Sequence, residues 1–129
     1  MKKKLIVSLK DSVTGVLPGG DGTFRVLIDE EISGSKNISL LVNTRKAGAK
    51  CIEHKHKSEH CWYILSGKGT ASLSGKLFKV EPKMAIFVPS NMLHKLDADP
   101  DEDLTYIVIY SPSGPEKLLK ERGADAFKS

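Results

Sequence analysis

The alternation of apolar and polar positions divides the chain into many short strands rather than a few long helices. Residues 3–9, KKLIVSL, predict a first strand, and Gly15–Gly22 a glycine-rich loop. Thr23–Asp29 predicts a strand with Phe24, Val26 and Ile28 on one face, and Asn37–Arg45 another with Ile38, Leu40 and Val42 turned inward. Beyond Gly67, Thr70–Leu73 and Lys76–Val80 read as short strands joined by a Ser74-Gly75 turn. Ala85–Val88 runs to Pro89. Thr105–Tyr110 is apolar almost throughout, which predicts a strand buried on both faces or lying at a subunit contact. Only the end of the chain reads as helix. Pro115 suits a first helical turn, Gly123 suits the position just past the last one, and Glu116 and Lys120 form an i,i+4 pair. The pattern predicts an all-β fold, an antiparallel sandwich or barrel with one short C-terminal helix.

At 129 residues the chain is expected to form a single domain over 1–129 with a real core. A composition of 40% hydrophobic and 28% charged residues places it among folded rather than disordered chains. The net charge of +4 comes from scattered lysines, and no helix-turn-helix or aromatic RNA-binding pattern accompanies it, so a nucleic-acid partner is not expected. The run Met1–Lys4 followed by Leu5-Ile6-Val7 is too short for a secretory leader, and no stretch approaches a membrane span. Cys51 and Cys61 fit a reducing compartment, so the expected location is cytoplasmic. The glycines of Gly15–Gly22 lack the context of a phosphate-binding loop. Asp97–Asp103 lacks the glycine and closing glutamate of a calcium loop and reads as a solvated acidic segment.

The chemistry gathers at the histidines. Three of the four, His54, His56 and His60, fall within Gly48–Gly67, and the fourth, His94, ends VPSNMLH. His54 and His56, two apart on a strand, project from one face. A turn centred near Ser58 would pair His56 with His60 and His54 with Trp62 across a hairpin, so that three rings converge. Cys51 would then face Leu65, and Cys61 would face Lys55. Convergent imidazoles make a site for a divalent transition metal. Ile52, Trp62 and Ile64 share the parity of the histidines, which makes them the candidate lining of a substrate pocket. Glu53, Glu59 and Tyr63 have the opposite parity.

These residues resemble the cupin family. Gly48, His54, His56 and Gly67 fall on its first motif, with His60 where the family usually has glutamate. Pro89 and His94 match the second motif, while Lys83, Asn91 and Ala98 replace its two glycines and asparagine. The resemblance implies a small jelly roll holding a metal at His54, His56, His60 and His94. It is similar to a subset of single-domain cupins with four-histidine sites, often containing manganese. Manganese, iron or nickel is the expected ion, with zinc and copper as alternatives.

Four neutral imidazoles leave the charge of a divalent ion uncompensated, so such a site is a Lewis acid for small anionic, oxygen-bearing ligands. The resemblance implies an oxygen-dependent oxidoreductase of dioxygenase type acting on a small oxygenated molecule. The alternatives are a non-redox isomerase or lyase acting on a sugar-like or keto-acid substrate, and a metal-stabilised binding module without turnover. The catalytic acid and base are not identifiable. Thr105–Tyr110, together with Tyr63 and Leu65, predicts a homodimer.

Overall fold

Among residues 3–123, which the computed structural model describes, nine strands form two antiparallel sheets. In chain order they are β1 (Val13–Val16), β2 (Gly22–Ile28), β3 (Ser39–Arg45), β4 (Glu59–Ser66), β5 (Gly69–Leu73), β6 (Lys76–Val80), β7 (Ala85–Val88), β8 (His94–Ala98) and β9 (Leu104–Ser111). A single helical turn, α1 (Glu30–Ser33), follows β2, and α2 (Pro115–Arg122) follows β9. The larger sheet has the order β1-β2-β3-β9-β4-β7, the smaller β6-β5-β8. The sheets share one core, in which Phe24, Leu41, Trp62, Ile64 and Val108 from the first meet Ala71, Leu96 and Ala98 from the second. This is the mainly β architecture that the alternation predicts. Met1, Lys2 and the last six residues lie outside the described part, and with them the start of the lysine run at the N-terminus.

Several local expectations are corrected. Residues 3–8 form no strand: Leu5 and Ile6 are 85% and 92% exposed, and a 3₁₀ turn at Leu9–Asp11 follows them. The edge beside β2 is taken instead by β1, which runs into the expected glycine loop and pairs Val13 with Val26.

On β3 the inward face is the opposite one. Ser39, Leu41, Asn43 and Arg45 are buried, whereas Ile38 is exposed and Leu40 half-buried; of the expected set Val42 alone is buried, on the other face of the strand. The period of two makes this a single-residue choice. The register opposite β9 decides it, setting Leu41 against Val108 and Asn43 against Tyr106.

On α2, Glu116 does not pair with Lys120. It is buried and accepts hydrogen bonds from Ser39 Oγ (2.7 Å) and the Gly114 amide (2.8 Å), while Lys120 Nζ reaches Asp29 at 2.7 Å and Glu31 at 3.3 Å. Packing Leu119 into the core turns both side chains to the sheet, where buried partners outweigh an exposed pair.

The acidic segment is only partly a loop. Asp97 belongs to β8, is buried, and accepts from the Cys51 amide at 2.7 Å. Thr105–Tyr110 is buried on one face rather than both, with Thr105, Ile107 and Ile109 half-buried. It is the central strand of the larger sheet, with Tyr106, Val108 and Tyr110 inside and both edges paired. No described helix is long and apolar enough to cross a membrane.

Candidate metal centre

The histidines meet by a different route from the expected hairpin. The edges of β4 are satisfied by β9 and β7, with His60 opposite Tyr110 on one side and Val88 on the other. Residues 49–56 therefore cannot return along β4 and lie against β8 instead. Ala98 N donates to Ala49 O, His54 and His94 exchange both backbone hydrogen bonds, and Asn91 N donates to His56 O. The pairs His56–His60, His54–Trp62, Cys51–Leu65 and Cys61–Lys55 do not form as cross-strand neighbours. Face-to-face packing nonetheless brings His54, His56 and His94 from the smaller sheet's side towards His60 on β4.

Ring centroids lie 4.4 Å apart for His54–His94, 4.6 Å for His60–His94, 5.0 Å for His56–His60 and 5.1 Å for His56–His94. His54, His56 and His94 each offer a nitrogen, these three lying within 4.8 Å of one another, so together they could hold a metal ion. Their orientation is fixed locally. Nδ1 lies 2.7 Å from the Ile52 carbonyl in His54, 2.8 Å from the Ser58 carbonyl in His56, and 2.8 Å from the Met92 carbonyl in His94. A carbonyl can only accept, so in each ring Nδ1 carries the hydrogen and Nε2 keeps the lone pair that a metal requires. His60 is buried, and its Nδ1 has no hydrogen-bond partner.

Burial also keeps the rings neutral. Loss of solvent is the leading cause that lowers His54 and His94 to about 4 and His60 to about 2, with neighbouring imidazoles adding to it; His56 is lowered by burial too. A buried neutral imidazole set, with an orphaned nitrogen beside it, fits a divalent transition metal and nothing harder.

Beside His54 and His94 lies a cavity of about 30 Å³. Trp62 lines it. Ile64 is buried but takes no part in the lining, and Ile52 serves the site through its carbonyl. Glu59 and Tyr63 are exposed, as their parity requires. Asn43, Arg45, Tyr106 and Tyr110, which the sequence pattern does not single out, complete the polar wall of this cavity together with Cys51, whose parity predicts a position facing Leu65 and away from the histidines. The signal that could have found them is the polar alternation Ser39, Asn43, Arg45, masked by the more conspicuous Leu40 and Val42.

Two facing antiparallel sheets with histidines clustered between them define a cupin, and residues 41–110 match the cupin domain family. The chain belongs to that family. It is 28% identical over 95 residues to an uncharacterized protein of Methanocaldococcus jannaschii, covering 73% of this chain and 76% of that one. The polyketide cyclase RemF of Streptomyces resistomycificus superposes with a TM-score of 0.75 at 27% identity, covering 89% of this chain and 82% of RemF. Oxalate decarboxylase of Bacillus subtilis, described with Mn(II) centres, shares the fold with a TM-score of 0.75 at 20% identity, over 91% of this chain and 32% of its own.

Proposed function

We propose that the chain is a metal-dependent enzyme in which His54, His56, His60 and His94 together hold one divalent ion, and that its substrate is a small oxygenated molecule. The observation that carries this reading is the locked orientation of three rings, each with Nδ1 on a neighbouring carbonyl, so that Nε2 is the nitrogen that bears the lone pair. The unpartnered Nδ1 of His60, its ring 4.6 Å from that of His94, supports a fourth ligand. Manganese, iron or nickel suits an all-imidazole set, and the Mn(II) centres of the Bacillus oxalate decarboxylase favour manganese.

An ion held there supplies Lewis acidity and, if redox-active, a route for electrons from substrate to dioxygen. The protein's own groups exclude water and fix orientation. Trp62 and Tyr110 wall the rings at centroid distances of 5.1 and 5.3 Å from His60. Burial raises the pKa of both Tyr106 and Tyr110, so the phenols stay protonated and act as donors rather than bases. The cavity of about 30 Å³ has room for roughly two waters, hence for dioxygen or a small polar head. That size favours an oxygen-dependent reaction on a small substrate. The likeness to RemF, named as a polyketide cyclase, favours the non-redox reading, in which an ion held by these histidines would supply Lewis acidity alone.

The test is elemental analysis of protein purified without chelators, followed by turnover of small diketones, catechols and hydroxy acids with and without dioxygen. Oxygen uptake stoichiometric with product supports the oxidoreductase. Equal turnover without oxygen transfers the assignment to Lewis-acid chemistry. Protein that neither retains nor takes up a transition metal overturns both.

A further inference from the structure

One cation inside this fold has no counter-charge. Arg45, at the end of β3, is only 4% exposed, yet among the described residues no carboxylate pairs with it. Its Nη2 donates to Cys51 Sγ at 3.1 Å and the Tyr106 hydroxyl, a neutral group, lies beside the guanidinium, while Nε and Nη1 are buried without a well-formed hydrogen bond. A guanidinium remains charged at any ordinary pH, and an uncompensated buried charge is strongly unfavourable. The arrangement calls for an anion. Cys51 Sγ, the acceptor from Nη2, is not a carboxylate and also lies 3.4 Å from the Ile52 carbonyl. Arg45 lines the same cavity as His54, His94 and Trp62. Asn43 borders it too, with an Oδ1 that is buried and unpartnered. Turned over, that amide presents two N–H donors to the same space.

We infer that Arg45, with Asn43 beside it, forms a carboxylate subsite in the cavity next to the histidines, and that the substrate of this enzyme is a small carboxylic acid. The planar fork of a guanidinium matches a carboxylate, and two of its donor nitrogens are unused. The cavity of about 30 Å³ admits a carboxylate head but no ring system. This inference rests on the metal-site reading for its meaning as a substrate site, but the anion site itself is independent of any ion.

Formate and acetate are therefore titrated at pH 7.5, where the depressed histidines are neutral and cannot attract anions, into metal-free and manganese-loaded wild type. Emission of Trp62, the single tryptophan, reports occupancy, and thermal stability reports linkage. Both forms are expected to saturate, with sodium chloride at equal ionic strength giving no comparable response. Arg45→Gln is expected to weaken binding at least about tenfold while manganese affinity stays unchanged, and Arg45→Lys to retain part of it. Absence of saturation in wild type overturns the subsite even if the glutamine variant fails to fold. So does unaltered binding in Arg45→Gln, or a chloride response that carboxylates do not compete with. Carboxylate binding that depends on Arg45 in a protein that takes up no manganese leaves the subsite standing and overturns the metal reading alone.

Discussion

His54 and His94, forty positions apart, hold each other through both backbone hydrogen bonds, at 3.0 and 2.9 Å, with their rings 4.4 Å apart. In an antiparallel pair such an exchange sets both side chains on the same face. Neither ring can leave without disturbing the other's strand. His54→Ala and His94→Ala are each expected to weaken manganese or zinc binding by at least about tenfold, the lower end of what loss of a ligand's support produces. Isothermal titration checks this, and wild-type affinity in either variant removes that residue from the ligand set.

The proposed fourth ligand is His60 rather than its neighbour Glu59. His60 is buried against the other rings and Glu59 points to solvent. His60→Ala is expected to cost about tenfold or more in metal affinity and Glu59→Ala almost nothing. The reverse ranking in the same titration would make the carboxylate the ligand.

The buried histidines also set an acid limit. In the unfolded chain each titrates near 6.5, whereas His54 and His94 in the fold sit at about 4 because burial opposes their charge. Below 6.5 the unfolded chain takes up protons that the folded chain refuses, so stability that is fully present above 6.5 is lost as pH falls towards 4. For His54 alone the difference between 6.5 and about 4 corresponds to about 3 kcal/mol. Urea midpoints of metal-free protein should fall steadily from pH 7 to pH 4.5, and bound metal should be released by dialysis at about pH 4. A flat midpoint across that window contradicts the burial of neutral rings.

Gly67 is the turn between β4 and β5, with φ of 82° and the Asp103 carbonyl where a Cβ would stand. Gly67→Ala combines a left-handed backbone with a collision against main chain. A loss of about 2 kcal/mol or more is expected in denaturant unfolding, and a loss below about 0.5 kcal/mol would show that the turn can move.

The association state can be tested directly. Tyr63 and Leu65 are exposed on the outer face of β4, and the edge strands β6 and β7 expose Leu77 at 70% and Phe87 at 57%. Patches of this kind usually meet a partner, so a homodimer is expected. Light scattering should give twice the 14.1 kDa of one chain, and a monomer mass at micromolar concentration rules the dimer out.

Much of this was legible because some rules are local. The Ser74-Gly75 turn, the strand Ala85–Val88 and the helix closed by Gly123 depend on a few adjacent residues, and each stands where its chemistry places it. The inward set His60, Trp62 and Ile64 follows from strand parity alone. What could not be read was pairing. Whether residues 49–56 lie along β4 or β8 depends on β9 and β7, which occupy β4 from 40 or more positions away in the case of β9. Arg45 was hidden for the same reason, since the polar alternation Ser39, Asn43, Arg45 becomes the inward face only through the register opposite β9.

The rings of His54, His56 and His94 are oriented by the carbonyls of Ile52, Ser58 and Met92, and a carbonyl belongs to every amino acid. The supports of this site are therefore free to drift in sequence. Ile52 and Met92 could become almost any residue that keeps the same backbone path, and the imidazoles would still be aimed correctly. In descendants of this chain the histidines should persist while their immediate supports change, so the site's ancestry would be written in four letters and in the path of the main chain.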